Sequence, residues 1–174
     1  MSDLKTLHEE DTVAWAENQA AALRAVAQGG SNQALDWENL AEEIQDLGKS
    51  IKRVVHSHIR NIIEHLIKLE YSPALLPREN WRESIQNART EVEVLLDDSP
   101  SVKPQLEDII NDEMPRGAKL AIGKLERRGE LSSSLAEALK AKSYLEIFRY
   151  TQDQILGDWF PPEPPEPPRG AEEA

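Results

Sequence analysis

Residues 36–71 carry the pattern that most limits the folds open to this chain, a single apolar series spaced for an α-helix. Successive members lie three or four residues apart, and at about 100° per residue they fall within about 40° of one line along the helix. The series consists of Leu40, Ile44, Leu47, Ile51, Val54, His58, Ile62, His65 and Leu69. This spacing predicts one long amphipathic helix, and it places two histidines within an apolar stripe.

Helical spacing recurs along the rest of the chain, and no segment alternates polar and apolar residues as a half-buried strand does. The long helix is predicted to begin after the capping residue Asp36, and several others after Asp11, Asn80, Ser134 and Thr151. The further helices are predicted over residues 12–28, 81–96, from about 106, 119–128, 135–148 and 152–156. Pro115 should break or kink the chain between two of them, because proline has no amide proton to donate. The predicted fold class is all-α, a helical bundle built around one long central helix.

The length and composition of the chain indicate one globular domain followed by a tail. With 174 residues, the chain is long enough for one hydrophobic core. We therefore predict a single helical-bundle domain over residues 1–160. Residues 161–174 consist mainly of proline and glutamate, and they lack the large apolar side chains that a packed segment needs. They are predicted to form a disordered, acidic, proline-rich tail.

Charge and cysteine content limit the partners and the compartment. The net charge is −12, from 20 basic and 32 acidic side chains, so phosphate backbones and anionic lipid should be repelled. We therefore expect neither a nucleic acid nor a membrane as partner. The absence of cysteine and of a signal-peptide pattern favours a cytoplasmic location.

The length of the long helix raises the question of what covers it. A straight helix over residues 36–71 would span about 50 Å, whereas a domain of this size has a diameter near about 40 Å. Gly48 lies inside this helix, and there it indicates either the close approach of another backbone or a kink. If the helix is straight, the stripe from Leu40 to Leu47 overhangs, and we predict that a second copy of the chain or another protein covers it. A kink at Gly48 that folds the stripe inward is the competing interpretation.

No arrangement of side chains in the sequence matches a known catalytic or metal-binding pattern. His58 and His65 are about 10 Å apart along a helix, which is too far for two ligands of one metal ion. The chain has no cysteine, no phosphate-binding glycine loop and no nucleophile elbow. We predict no catalytic residue, no metal and no cofactor. Trp37, Trp81 and Trp159 are predicted to anchor contacts between helices.

Several short motifs occur in an order that is typical of one bacterial family. They comprise Asp11 with Trp15, LDWENLAEEI at residues 35–44, LGKS at 47–50, HLIKL at 65–69, Trp81 with Ile85 and Arg89, SPSV at 99–102, and YT at 150–151 followed by WFP at 159–161. With them the chain resembles the family called domain of unknown function 29, whose members are common in cyanobacteria and proteobacteria. The resemblance implies a small cytoplasmic α-helical protein without an established activity.

The resemblance also marks most members of a candidate polar cluster that would link the helices. The cluster consists of Asn39, Glu42, Glu43, His58, His65, Lys68 and Arg89. We favour a non-catalytic protein–protein interaction or regulatory module, which includes the homodimer. The alternative is a metal-binding or hydrolytic helical bundle that uses His65 and Glu43. A second alternative is an antitoxin-like protein whose acidic surface neutralises a basic partner.

Overall fold

The computed structural model describes residues 4–29 and 36–163, and these residues are mostly helical without any strand. The α-helices are α1 (Leu4–Glu10), α2 (Thr12–Gln28), α3 (Trp37–Tyr71), α4 (Arg78–Asp98), α5 (Leu106–Arg127), α6 (Ser133–Ala141), α7 (Tyr144–Ile147) and α8 (Gln152–Leu156). A 3₁₀ helix, Pro100–Gln105, joins α4 to α5. The predicted all-α class with one long helix at its centre is confirmed, and α1 is an addition that the sequence analysis did not foresee.

The long helix α3 is the element against which α2, α4 and α5 pack. Its first half lies beside α2, where Gly48 meets Ala16. Its second half lies between α4 and α5 and contributes six of the largest fully buried side chains. These are Ile59, Ile62, Ile63, Leu66, Ile67 and Leu69. The core therefore surrounds the second half of α3, and the first half extends away from it with α2 alongside.

Local capping signals place the ends of several helices where the sequence predicts them. The Asp11 carboxylate accepts a hydrogen bond from the Ala14 amide at 2.8 Å, which satisfies a donor at the start of α2. Asp36 does the same for α3, and Thr151 forms a capping box at the start of α8. Gly129 follows α5 with a φ of 69°, the left-handed conformation that glycine adopts without a steric penalty.

The start of α4 differs from the prediction. The helix begins at Arg78 rather than at residue 81, and Pro77 rather than Asn80 precedes it. The buried guanidinium of Arg78 donates hydrogen bonds to the backbone oxygens of Leu69, at 2.8 Å, and Ser72, at 3.3 Å. Contacts with the end of α3 therefore stabilise a first turn that has no side-chain cap.

The predicted break at Pro115 is wrong, because α5 runs through it without interruption and includes the segment 119–128. Proline removes one amide donor and leaves one carbonyl unpaired, that of Asn111 four residues earlier. Asn111 is exposed, so water can bind that carbonyl. Met114 and Ala118, on either side of the proline, are buried in the core, and their packing stabilises the helix on both sides of it.

The C-terminal region is also divided differently from the prediction. Residues 135–148, predicted as one helix after a Ser134 cap, form α6 and α7, and Ser132 caps α6 by accepting from the Leu135 amide at 3.2 Å. Pro161 is buried, and the carboxylate of Glu163 accepts hydrogen bonds from Arg78 and Arg82. Residues 164–174 of the predicted tail lie outside the described residues.

Candidate functional site

The apolar stripe of α3 is covered along only part of its length. Ile62 and Leu69 are fully buried, whereas Leu40, Leu47 and Val54 are 41%, 43% and 43% exposed. Ile44 and Ile51, which lie between them on the stripe, are half-buried. The first half of the helix thus presents a row of large apolar side chains to solvent, at the place where the sequence predicts an overhang.

The helix α2 packs beside this row rather than over it. It covers Ala41, Gly48 and Val55, each of which follows a stripe residue by one position. A Cβ atom on Gly48 would lie 3.5 Å from the Cβ of Ala16 and 3.7 Å from the backbone oxygen of Val13, which is ordinary van der Waals contact. The helix α3 continues through Gly48, and at this residue α2 makes its close approach.

Polar contacts between α2 and α3 lie on the side away from the stripe. Lys52 donates to Glu17 at 2.8 Å, and Arg24 donates to the side-chain oxygen of Gln45 at 2.9 Å. Val26 is nine positions after Glu17, about 180° around the helix, and it is 45% exposed. Val26 therefore lies on the same side of the α2–α3 hairpin as the exposed stripe.

The two helices together form one continuous surface, which we call the apolar face. It consists of Ala22, Leu23 and Val26 on α2, and of Leu40, Ile44, Leu47, Ile51 and Val54 on α3, and all of these residues are exposed or half-buried. Contiguous apolar surface of this kind is uncommon on monomeric proteins and is typical of interaction sites.

Charge changes sign along the part of α3 that carries the apolar face. The first turns are acidic, with Glu38, Glu42, Glu43 and Asp46, and the following turns are basic, with Lys49, Lys52, Arg53 and Arg60. A hydrogen bond from Lys49, at 2.9 Å, lowers the pKa of Asp46 where the two segments meet. The face is thus flanked by an acidic segment and a basic one within a strongly acidic protein.

A buried carboxylate joins α3 to α5, and the sequence analysis did not single it out. Glu113 is 1% exposed, and it accepts hydrogen bonds from Arg60 at 2.7 Å and Arg116 at 2.5 Å, with His56 Nδ1 2.9 Å away. Burial alone would raise the pKa of Glu113, but the hydrogen bonds from His56, Arg60 and Arg116 outweigh it, and the pKa is lowered. The i, i+4 spacing of His56 and Arg60 was visible in the sequence, but their opposition to Glu113 was not.

A second buried ionic cluster contains Lys68, one of the predicted site residues. Glu64 accepts hydrogen bonds from Lys68 and from Lys124, the latter at 2.6 Å. Burial would raise the pKa of Glu64, but these two lysines lower it overall, while burial lowers the pKa of Lys68 itself. The Lys68 amino group also lies 5.9 Å from the centre of the Trp81 ring. The cluster links α3, α4 and α5.

The side chain of the neighbouring His65 contacts the backbone of its own helix rather than an acidic side chain. Its Nδ1 atom lies 2.9 Å from the carbonyl oxygen of Asn61, one turn earlier. Burial lowers the pKa of His65, so the neutral imidazole is favoured. His58 is half-buried at the end of the exposed stripe.

Arg89 holds the C-terminal segment against α4. Its guanidinium donates to the backbone oxygens of Gln154, Ile155 and Trp159, each at 2.8 Å, and stacks on the Phe160 ring at 4.9 Å. The first two oxygens belong to the end of α8, whose carbonyls lack helical partners. An open cleft of about 760 Å³ lies beside Arg89, but the guanidinium is directed to these carbonyls.

The predicted polar cluster is not one site. Glu42 and Glu43 are exposed near the start of α3, and the Asn39 amide donates to Asp36 at 2.5 Å. Glu43 and His65 are 22 positions apart on the same unbroken helix, a separation of about 33 Å. Within residues 4–29 and 36–163, no three His, Cys, Asp or Glu side chains are grouped so that they could hold a metal ion.

The predicted tryptophan anchors occupy different surroundings. Trp81 is buried in the core, whereas Trp37 and Trp159 are half-buried, and the Trp159 ring lies 5.9 Å from that of Tyr150.

In the part of the chain that the structure describes, no helix combines the length and apolar character needed to cross a membrane.

The fold and these surfaces define an all-α helical bundle with an exposed apolar face on one helical hairpin. The family model described as "Domain of unknown function DUF29" matches residues 7–160, so the chain belongs to this family, and the predicted resemblance is confirmed. No protein with a curated description matches the chain. Among solved structures, it is similar to an α-helical protein of unknown function from Rhodospirillum rubrum. The two share 25% sequence identity with a TM-score of 0.66, over 87% of this chain and 89% of that chain.

Proposed function

We propose that this protein is an interaction module, and that it binds another protein chain through the apolar face of the α2–α3 hairpin. The observation that carries the proposal is the exposure of Leu40, Leu47 and Val54 at every second turn of one continuous helix. Removing apolar surface from water contributes about 25 cal/mol per Å² and is the main driving force of most protein association.

The face is also prepared for binding before a partner arrives. The second half of α3 is anchored in the core by residues such as Ile62 and Leu66, so the first half projects from it as a continuous helix. A rigid surface loses little conformational entropy on association, and this raises the affinity available from a given contact area.

The charged clusters support a structural role for the buried polar groups. Glu64 and Glu113 each neutralise basic side chains between helices, and Arg89 binds three backbone oxygens. The separation of about 33 Å between Glu43 and His65 gives no support to a hydrolytic or metal site that would combine them.

A photo-crosslinking amino acid incorporated at Leu47 tests the proposal in the living host. Leu120 on α5, which is 42% exposed, provides a matched control outside the apolar face. We expect the chain substituted at Leu47 to give discrete adducts of defined mass on illumination, and the chain substituted at Leu120 to give none. The proposal fails if the two positions yield the same adducts or if neither yields any.

A further inference from the structure

We infer that the occupant of the apolar face is a second copy of this chain, bound with its α3 antiparallel to the first. The inference rests on the proposed function, and it adds the identity and the orientation of the partner. Three features of the α2–α3 hairpin support it: the symmetry of the apolar series, the change of charge along α3, and the position of α2.

The apolar series reads the same in both directions. From residue 40 to residue 58 the spacings are four, three, four, three and four, which is the a/d pattern of a coiled-coil seam. A two-fold axis beside residue 49 places Leu47 opposite Ile51 of the second copy, and Ile44 opposite Val54. Leu40 then meets His58 at each end. Such a seam is complementary to itself, as a two-fold interface requires.

The charges of α3 favour the antiparallel orientation over the parallel one. In the antiparallel pair, the acidic segment 38–46 of one copy lies along the basic segment 49–60 of the other. Arg53 lies level with residue 45 of the second copy, between Glu43 and Asp46, so segments of opposite charge face each other, and all three side chains are exposed in the monomer. A parallel pair would place acidic segment beside acidic segment, where like charges repel.

The position of α2 makes the arrangement a four-helix bundle. The stripe of α3 and the side that contacts α2 are about 100° apart around the helix, close to the right angle between neighbours in a square bundle. The same two-fold axis therefore places the two α2 helices side by side, with Ala16 of each copy at the level of the axis because it packs on Gly48. The seam from residue 40 to residue 58 is about 27 Å long and the face is two helices wide, so we expect an interface at the lower end of the size range and a micromolar dissociation constant.

Sedimentation equilibrium from about 1 to 200 µM, a range that brackets micromolar affinity, tests the self-association of the full chain. We expect a transition from the 19.6 kDa monomer to a dimer. Leu47→Glu should raise the dissociation constant at least about tenfold, because it buries a charge in the seam. The control Leu120→Glu, on α5, should leave the dimer unchanged. Circular dichroism of both variants shows whether the helical content is retained.

Disulfide trapping tests the orientation of the two copies. Because the chain has no native cysteine, only the introduced cysteines can form disulfides. A tagged Ile44→Cys chain is mixed with an untagged Val54→Cys chain and oxidised mildly. The antiparallel pair should give the mixed disulfide in large excess over either self-disulfide, because residues 44 and 54 lie opposite each other. Self-disulfides in excess would establish the parallel pair and overturn the inference.

The outcomes separate this inference from the proposed function. A monomer at every concentration, together with adducts to a different protein at position 47, overturns the second copy but retains the interaction module. A monomer without adducts at position 47 overturns both.

Discussion

The two halves of α3 share one helix and one apolar spacing, but they lie in different surroundings. In the second half, α4 and α5 cover the helix so fully that Glu64 and Lys68 are buried as well as the isoleucines. In the first half, α2 covers one side and leaves Leu40 and Leu47 exposed. The comparison teaches that an apolar stripe indicates where a helix can be buried, whereas the number of neighbouring helices decides whether it is.

The charged residues of the two halves differ in the same way. In the second half, Glu64 bonds to Lys68 and Lys124, because an unpaired charge would be costly there. In the first half, Glu42 and Glu43 are exposed, so water can hydrate their carboxylates. Exposed charges of the first half, such as Glu42, Glu43 and Arg53, are therefore available to a binding partner, whereas the buried pair Glu64 and Lys68 holds the helices together.

The largest expected effect comes from shortening one leucine in each half. Leu66→Ala should lower the free energy of unfolding by about 2–5 kcal/mol, because it removes a fully buried side chain and leaves a cavity. Leu47→Ala should lower it by less than about 1 kcal/mol, measured by urea unfolding at low micromolar concentration. Equal losses would contradict the distinction between a buried and an exposed half.

The next largest effect comes from adding a methyl group to the glycine at each of two helix contacts, Gly117 between α5 and α3 and Gly48 between α3 and α2. A Cβ atom on Gly117 of α5 would lie 2.8 Å from the Cγ2 of Ile63 and 3.1 Å from the backbone oxygen of Arg60. Gly117→Ala should therefore destabilise the fold by about 1–3 kcal/mol through overpacking. Gly48→Ala meets only ordinary contacts, so the higher helix propensity of alanine should make it neutral or stabilising by up to about 1 kcal/mol. Thermal unfolding measures the stability of both variants. A destabilising effect of Gly48→Ala would show that α2 lies closer to α3 than the 3.5 Å contact with Ala16 indicates.

A smaller effect concerns the pH dependence that the buried acids confer. The pKa values of Glu64 and Glu113 are lowered in the folded state, so their stabilisation is complete above the ordinary glutamate pKa of 4.5 and is lost as pH falls through the folded-state pKa. Glu113→Gln should lower the free energy of unfolding at pH 7 and flatten its decline in acid. The matched Glu42→Gln, in the exposed half, should change stability by less than about 0.5 kcal/mol. If the free energy of unfolding of Glu113→Gln fell with acid as steeply as that of the unsubstituted chain, groups other than Glu113 would cause the decline.

Local features of the sequence predicted most of the helices but not their exact partners. Asp11, Asp36 and Thr151 cap helices through bonds within a few residues, so their effect is visible without the fold. Pro115 misled the prediction, because its local cost is compensated by the packing of Met114 and Ala118.

Close helix contacts and buried charges could not be located from the sequence either. Gly48 was identified from the sequence as a glycine inside a helix. Gly117, however, lies where α5 crosses α3, and this contact is closer than that of Gly48 with α2. Only the arrangement of α3 and α5 reveals it. Glu113 likewise resembles a surface acid until α5 places it against His56 and Arg60.

By itself, the sequence determined the all-α class, the extent of α3, the caps Asp11, Asp36 and Thr151, and the line of the apolar stripe, because these depend on interactions within one or two turns. The tertiary structure alone decided that Leu66 is buried and Leu47 exposed, that α2 lies beside the stripe, and that Glu113 is enclosed by cations. These properties depend on residues far apart in the chain, and no local spacing specifies which helices will meet.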